Sequence, residues 1–211
     1  TLPRITEVDS VIKPRVSEAR LEEQRANLEQ ALRYYRYYLP TAYRPDTLLT
    51  FFSQFEVAAA LYGDNNIAVG LEFFLGPNYD YQRVDPRETI FSAYLARTYT
   101  PAHMTAKLLR TLIREEVPQP RSGRLIDHLI YEGKKLYLLE KVLPFAPDSI
   151  LQEVSSKQMK WLENNEIPIY AHLQKERMLY STDATLIKKM TQPAPSSQGM
   201  PVESPGGAVN Y

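Results

Sequence analysis

The sequence predicts an α+β fold, mainly helical with a small antiparallel sheet. Apolar residues recur at helical spacing before residue 40 and again after residue 100. Between them, two short runs rich in β-formers flank the turn residues Tyr62-Gly63-Asp64-Asn65-Asn66. A chain of 211 residues, 44% hydrophobic and 24% charged, has ordinary globular proportions and is long enough for one proper core.

Residues 1–16 contain two prolines and no helical period, which predicts an extended lead-in. From Ser17, Leu21, Leu28, Leu32, Tyr35 and Leu39 share one helical face; Ser17 suits the N-cap and Leu39-Pro40 the stop. Residues 48–57 and 67–75 then predict the two strands of a hairpin spanning about 48–75, with a helix over 47–60 as the alternative because of Ala58-Ala59-Ala60. Thr100-Pro101 predicts the start of a helix carrying Met104, Leu108 and Leu112 and ending at Val117-Pro118. Ser122 is expected to cap a third helix through Leu125, Leu129, Leu136 and Leu139. Ser155 and Gln158 form a capping box that opens the next helix, and Pro168 is expected at the first position of a fifth, running to about Tyr180. Residues 17–190 therefore read as a single domain. Residues 191–211, rich in Pro, Gly and Ser, read by composition as a linker or frayed tail.

Charge and motif content exclude several function classes. Lys+Arg 25 against Asp+Glu 25 leaves no net positive field for nucleic acid, and the interleaved Arg33-Tyr34-Tyr35-Arg36-Tyr37-Tyr38 is better explained by helix packing. The absence of cysteine removes disulfides, thiolate metal sites and cysteine nucleophiles. No apolar run approaches the roughly 20 residues of a membrane-spanning helix. No His-Glu-x-x-His, Gly-x-Ser-x-Gly or phosphate-binding glycine loop occurs, so no catalytic residue is assigned and no cofactor or metal is called for.

Only His103, His128 and His172 are present. His128 and Glu132, at i and i+4, make either a hydrogen-bonded pair at the edge of the core or two ligands of an incomplete metal site. Gly133 inside the same helix costs ~1 kcal/mol relative to Ala, which predicts a backbone or bulky side chain lying against a central helix. Glu132, among Ile130 and Leu136, is expected to be half-buried and to find an Arg, Lys or Tyr partner.

Read together, Val69-Gly70-Leu71-Glu72-Phe73-Phe74-Leu75-Gly76, the stretch Leu125-Ile126-Asp127-His128-Leu129-Ile130-Tyr131-Glu132-Gly133-Lys134-Lys135-Leu136-Tyr137, and Pro193-Ala194-Pro195 with Gly199 to Gly206 resemble the GldB family, the gliding-motility-associated lipoproteins of Bacteroidetes. Trp161 to Glu166 and Leu179 to Asp183 fit the same pattern. The resemblance implies a domain tethered in the cell envelope, on the periplasmic side and by expectation at the outer membrane, through a lipidated Cys upstream of Thr1. It implies a link to gliding and type IX secretion, with envelope or secretion-machinery proteins as partners and no contact with membrane except through the anchor. The family continues past the Glu203-Ser204-Pro205-Gly206 segment into an aromatic terminal helix, and where that helix follows, the Pro/Gly stretch is expected to be an ordered loop rather than a tail.

More remotely, the family is similar to zinc-peptidase-like domains in which a Glu-Gly pair supplies the third ligand. Glu132-Gly133 falls at that place, whereas His103 offers one imidazole and no base, which implies a degenerate scaffold. The expected functional cleft comprises His128, Tyr131, Glu132, Gly133 and Glu72, in a groove between strand 67–75 and the third helix. The competing readings are a zinc-dependent metallohydrolase using Glu132 with His128 or His103, and a periplasmic ligand-binding domain.

Overall fold

The computed structural model describes residues 16–191. It is α+β, with a three-stranded sheet and a majority of helix. The lead-in expected over 1–16 lies outside the described residues except for Val16, as does the Pro/Gly-rich segment after Thr191. The chain divides into two compact units, one running to Glu116 and taking in Leu138–Ala146, the other made of Val117–Tyr137 and the chain from Pro147.

In the first unit, helix α1 (Glu18–Tyr38) buries Gln24, Leu28, Ala31 and Tyr35, and Leu39 N–H closes its last turn on Tyr35 O before Pro40 stops it. Strands β1 (Thr47–Phe51), β2 (Ala59–Tyr62) and β3 (Asn66–Gly70) form a sheet of order β1-β3-β2. The hairpin is β2 with β3, closed at Gly63, whose φ of +60° suits the turn. The antiparallel sheet expected over 48–75 is thus corrected in two places. First, β1 pairs with β3 in parallel, making the sheet mixed. The reason is burial: Ile67, Ala68 and Val69 are all enclosed, so this unbroken apolar run takes the central position, where both faces are covered. Second, the chain leaves the sheet at Gly70 and makes a 3-10 turn, Leu71–Phe74, that buries Glu72, Phe73 and Phe74. No helix forms over 47–60.

A short helix α2 (Ala93–Ala96) follows, and the 3-10 turn Pro101–His103 leads into α3 (Met104–Glu116) with Pro101 at its first position, as expected. Helix α3 packs on α1, β2 and β3 and buries Leu109 and Ile113 beside the expected Met104, Leu108 and Leu112. Phe55 has aromatic neighbours on several sides: Phe52, Phe73, Tyr81 and Phe91 approach it edge-on and Tyr79 stacks at 5.9 Å. Such ring pairs stabilise by about 0.5–1.5 kcal/mol beyond their burial.

The second unit has its own core of Leu125, Ile169, Leu173, Leu179 and Met190, with Trp161, Ile126 and Leu129 packed against it. These come from α4 (Leu125–Val142), α6 (Ser156–Lys175) and α7 (Ala184–Thr191); a short α5 (Asp148–Leu151) lies between the first two. The Ser155/Gln158 capping box forms with both of its bonds. Pro168 does not start a fifth helix; it lies inside α6, because Ile169 and Leu173 continue the buried face across it and outweigh the lost backbone bond. Nor does Ser122 cap α4: its hydroxyl bonds the Asp127 carboxylate instead. Gly133 also departs from expectation. A Cβ there would meet nothing within 4 Å, and Ile130 is 49% exposed, so this part of α4 faces outward rather than into a packed centre.

At Gly70 the opposite holds: a Cβ would overlap the carbonyl oxygen of Val57 and crowd Glu72 Oε2. Gly70→Ala should therefore lower stability by about 1–3 kcal/mol, seen as a lower melting temperature, while Gly133→Ala should raise it by up to ~1 kcal/mol.

Candidate functional site

The sequence-derived candidates fall in two places. His128, Tyr131, Glu132 and Gly133 lie on α4 in the second unit, whereas Glu72 belongs to the first and makes its hydrogen bonds there. On α4, Glu132 Oε1 accepts from Lys135 Nζ at 2.7 Å, the expected Lys partner, with both side chains part-exposed. Lys135 Nζ also sits 4.4 Å from the Tyr131 ring centroid, and Tyr131 Oη accepts from Gln119 Nε2 at 2.8 Å. One turn earlier, Arg124 and Ser122 bond Asp127. The hydrogen bond from Arg124, then that from Ser122, holds this carboxyl below its ordinary value. His128 therefore lies between two ion pairs, and the bond of Glu132 goes to a lysine rather than to the imidazole. His103 bonds Thr100 Oγ1 through Nδ1 at 2.8 Å in the first unit. Among the described residues no three His, Asp or Glu side chains come together as metal ligands.

Glu72 is fully buried on the 3-10 turn after β3. Its Oε1 accepts from Ser53 N–H at 2.7 Å, from Phe55 N–H at 3.1 Å and from the Ser53 hydroxyl. Ser53 Oγ accepts in turn from the amides of Glu56 and Val57, at 3.2 and 3.0 Å. The loop so held carries two consecutive non-glycine residues in the left-handed region, Gln54 at φ 60° and Phe55 at φ 65°. That conformation costs roughly 1–2 kcal/mol per residue, offset here by the carboxyl bonds and by the Phe55 ring among its aromatic neighbours. Tyr81 completes the arrangement: its hydroxyl donates to Glu72 O at 3.1 Å and accepts from Leu75 N–H at 3.0 Å. Through Oε1, Glu72 holds the loop's backbone both directly and by way of the Ser53 hydroxyl, while its buried Oε2 has no hydrogen-bond partner among the described residues. Its signal was present in the sequence as the single acid inside the apolar run 67–75, and Ser53 was the partner that sequence reasoning missed.

A concave surface that sequence reasoning also missed lies in the first unit. A groove of about 690 Å³ runs along α1 beside β1. Leu28, Ile67, Val69, Met104 and Leu108 line its apolar part, Leu48 and Thr50 of β1 flank it, and the α1 residues from Glu18 to Arg36 overhang it.

Two measurements check these assignments. Glu72→Leu leaves the Ser53 and Phe55 amides without their acceptor and should cost about 3–5 kcal/mol in chemical denaturation, whereas Glu72→Gln, which keeps one acceptor oxygen, should cost less. Because the Asp127 pKa is depressed, the stability it contributes is present above its ordinary value of 3.8 and is lost as pH falls through its folded value. Asp127→Asn should accordingly be less stable at neutral pH, with the difference vanishing below pH 3.8.

A family model for the gliding motility protein GldB, a lipoprotein family, matches residues 6–211. No curated protein and no solved structure matches the chain. With nearly its whole length inside that match, the chain belongs to the GldB family of gliding motility proteins.

Proposed function

We propose that this domain acts as a lipid-anchored envelope protein that supports gliding motility and the associated type IX secretion by touching other proteins, with no chemical step of its own. In this reading the anchor is a lipidated Cys upstream of Thr1 and the domain stands on the periplasmic side of the outer membrane. The observation that carries the reading is the outward face of α4. Ile130, Gly133, Lys134 and Tyr137 stand at i, i+3, i+4 and i+7, the first 49% and the last 59% exposed, with open space over Gly133. A mid-helix glycine that nothing in the described chain covers suits the close approach of a partner. Beside that face, Asp127, Tyr131 and Glu132 are engaged in bonds within their own unit, which leaves shape and apolar surface for recognition rather than reactive groups for catalysis. A peptidase-like ancestry accords with this: Glu132 would be the remnant of a third ligand, turned to an ion pair with Lys135.

The test is a chromosomal replacement in a gliding bacterium that makes this protein. Ile130→Asp, at a half-exposed site, should keep stability within about 0.5 kcal/mol and leave abundance unchanged. Colony spreading and secretion should fall toward those of a deletion strain. Normal spreading and secretion in the deletion strain itself would sink the reading, and stoichiometric zinc that is lost on Glu132→Ala would replace it with a metallohydrolase.

A further inference from the structure

We infer that the outward face of α4 recognises the outward face of α6 in a second copy of this chain, the two helices antiparallel, in a reciprocal dimer. The inference rests on the reading of α4 as a contact face and names the molecule that meets it. Both faces lie in the second unit. On the back of α6, Ile167 is 82% exposed and Tyr170 54%, whereas Ile169 and Leu173 of the same helix are buried.

One exposed isoleucine is ordinary; the pattern around it identifies the occupant. On α6, Glu163, Glu166, Ile167 and Tyr170 stand at i, i+3, i+4 and i+7, and all are exposed. On α4, Ile130, Gly133, Lys134 and Tyr137 repeat that spacing, and all are exposed. Laid antiparallel with Ile167 on Gly133, the two stripes match at each step. Ile130 meets the Tyr170 ring, Lys134 meets the Glu166 carboxylate, and the Tyr137 hydroxyl comes opposite the Glu163 carboxylate. Gly133, where a Cβ would meet nothing within 4 Å, admits the isoleucine closely. Lys134, Glu163 and Glu166 make no ion pair among the described residues, so none has to be broken first. A parallel arrangement about the same contact sets Glu132 against Glu166 and Lys134 against Pro168, so charge fixes the direction.

The fold of one copy prepares the reciprocity. Leu125 N–H donates to Ser181 O at 2.9 Å, which sets the start of α4 beside the chain just past the end of α6. Leu125, Ile126 and Leu129 share a core with Trp161, Ile169 and Leu173, so the two helices run antiparallel, side by side. A twofold axis along this pair lays α4 of each copy over α6 of the other, again antiparallel and at the same height along the axis. Both contacts then form at once, and the assembly closes as a dimer with four helices packed as in a bundle.

The test is sedimentation of the full chain over a concentration series reaching about 1 mM. The expected result is a monomer–dimer equilibrium that Gly133→Leu and Ile167→Asp each weaken at least about tenfold. Gly133→Leu fills open space on a helix and so keeps the fold, which a melting temperature no lower than that of the unsubstituted chain verifies. Lys134→Glu and Glu166→Lys should each abolish the homodimer, because two like-charge pairs replace two opposite ones. An equimolar mixture of these two variants should dimerise as the unsubstituted chain does, since one contact is then native and the other has its charges exchanged. A monomer at every concentration overturns the inference, as does association insensitive to Gly133→Leu and Ile167→Asp, or a mixture that stays monomeric. The functional reading fails separately. A monomeric chain whose Ile130→Asp variant loses spreading overturns the dimer and leaves α4 a contact face for another protein. A dimer lost on Gly133→Leu with spreading intact supports the dimer and removes its part in gliding.

Discussion

A single buried carboxyl group is the constraint on which the first unit's sheet depends. Glu72 sits just past the end of β3 and reaches back to the loop that connects β1 to β2. That loop has to carry the chain from one side of β3 to the other within 52–58, and it does so through two left-handed residues that no glycine relieves. Without an acceptor for the Ser53 and Phe55 amides, neither the turn nor the burial of the Phe55 ring would persist, because an enclosed backbone donor left unpaired costs as much as the contact it would secure. Gly70 belongs to the same device, since the space its missing side chain leaves is filled by Val57 O and Glu72 Oε2. Tyr81 then ties the backbone of the 3-10 turn, so that strand, turn and aromatic cluster stand or fall together.

The second unit uses its polar residues in a different setting. Its ion pairs at Asp127 and Glu132 lie near the surface, where such pairs contribute little and can be exchanged without collapse. The helix that bears them is pinned by Leu125 on its inner side and leaves Ile130 and Gly133 outside. The two carboxyls of greatest interest, Glu72 and Glu132, thus have opposite physics: one is enclosed and organises backbone, the other is half-exposed and balances a lysine.

Much of the helical architecture was legible. Periodicity alone located α1 and α3, and Ser155 with Gln158 announced α6 because a capping box is a local event, complete within four residues. The spacing of Leu186, Ile187 and Met190 after Asp183 held an equally local signal for α7, whose start is secured by Thr185 N–H bonding Asp183 Oδ1 at 2.8 Å. Pro168 misled, because its local preference for a helix start yielded to the burial of Ile169 and Leu173 on either side of one turn. For the candidate site, Glu132 finding a lysine was legible, since a Lys three residues on shares its helical face.

What the sequence by itself determined was whatever depends on near neighbours: the helices, the β2–β3 turn, the missing catalytic motifs and the family. Tertiary structure alone decided the order and direction of the strands, since parallel pairing of β1 with β3 reflects competition among distant segments for the one fully buried position. It alone decided that Gly70 is enclosed and Gly133 open. Two glycines are identical as letters, and only the atoms brought beside them by the rest of the chain separate a required absence from an exposed one.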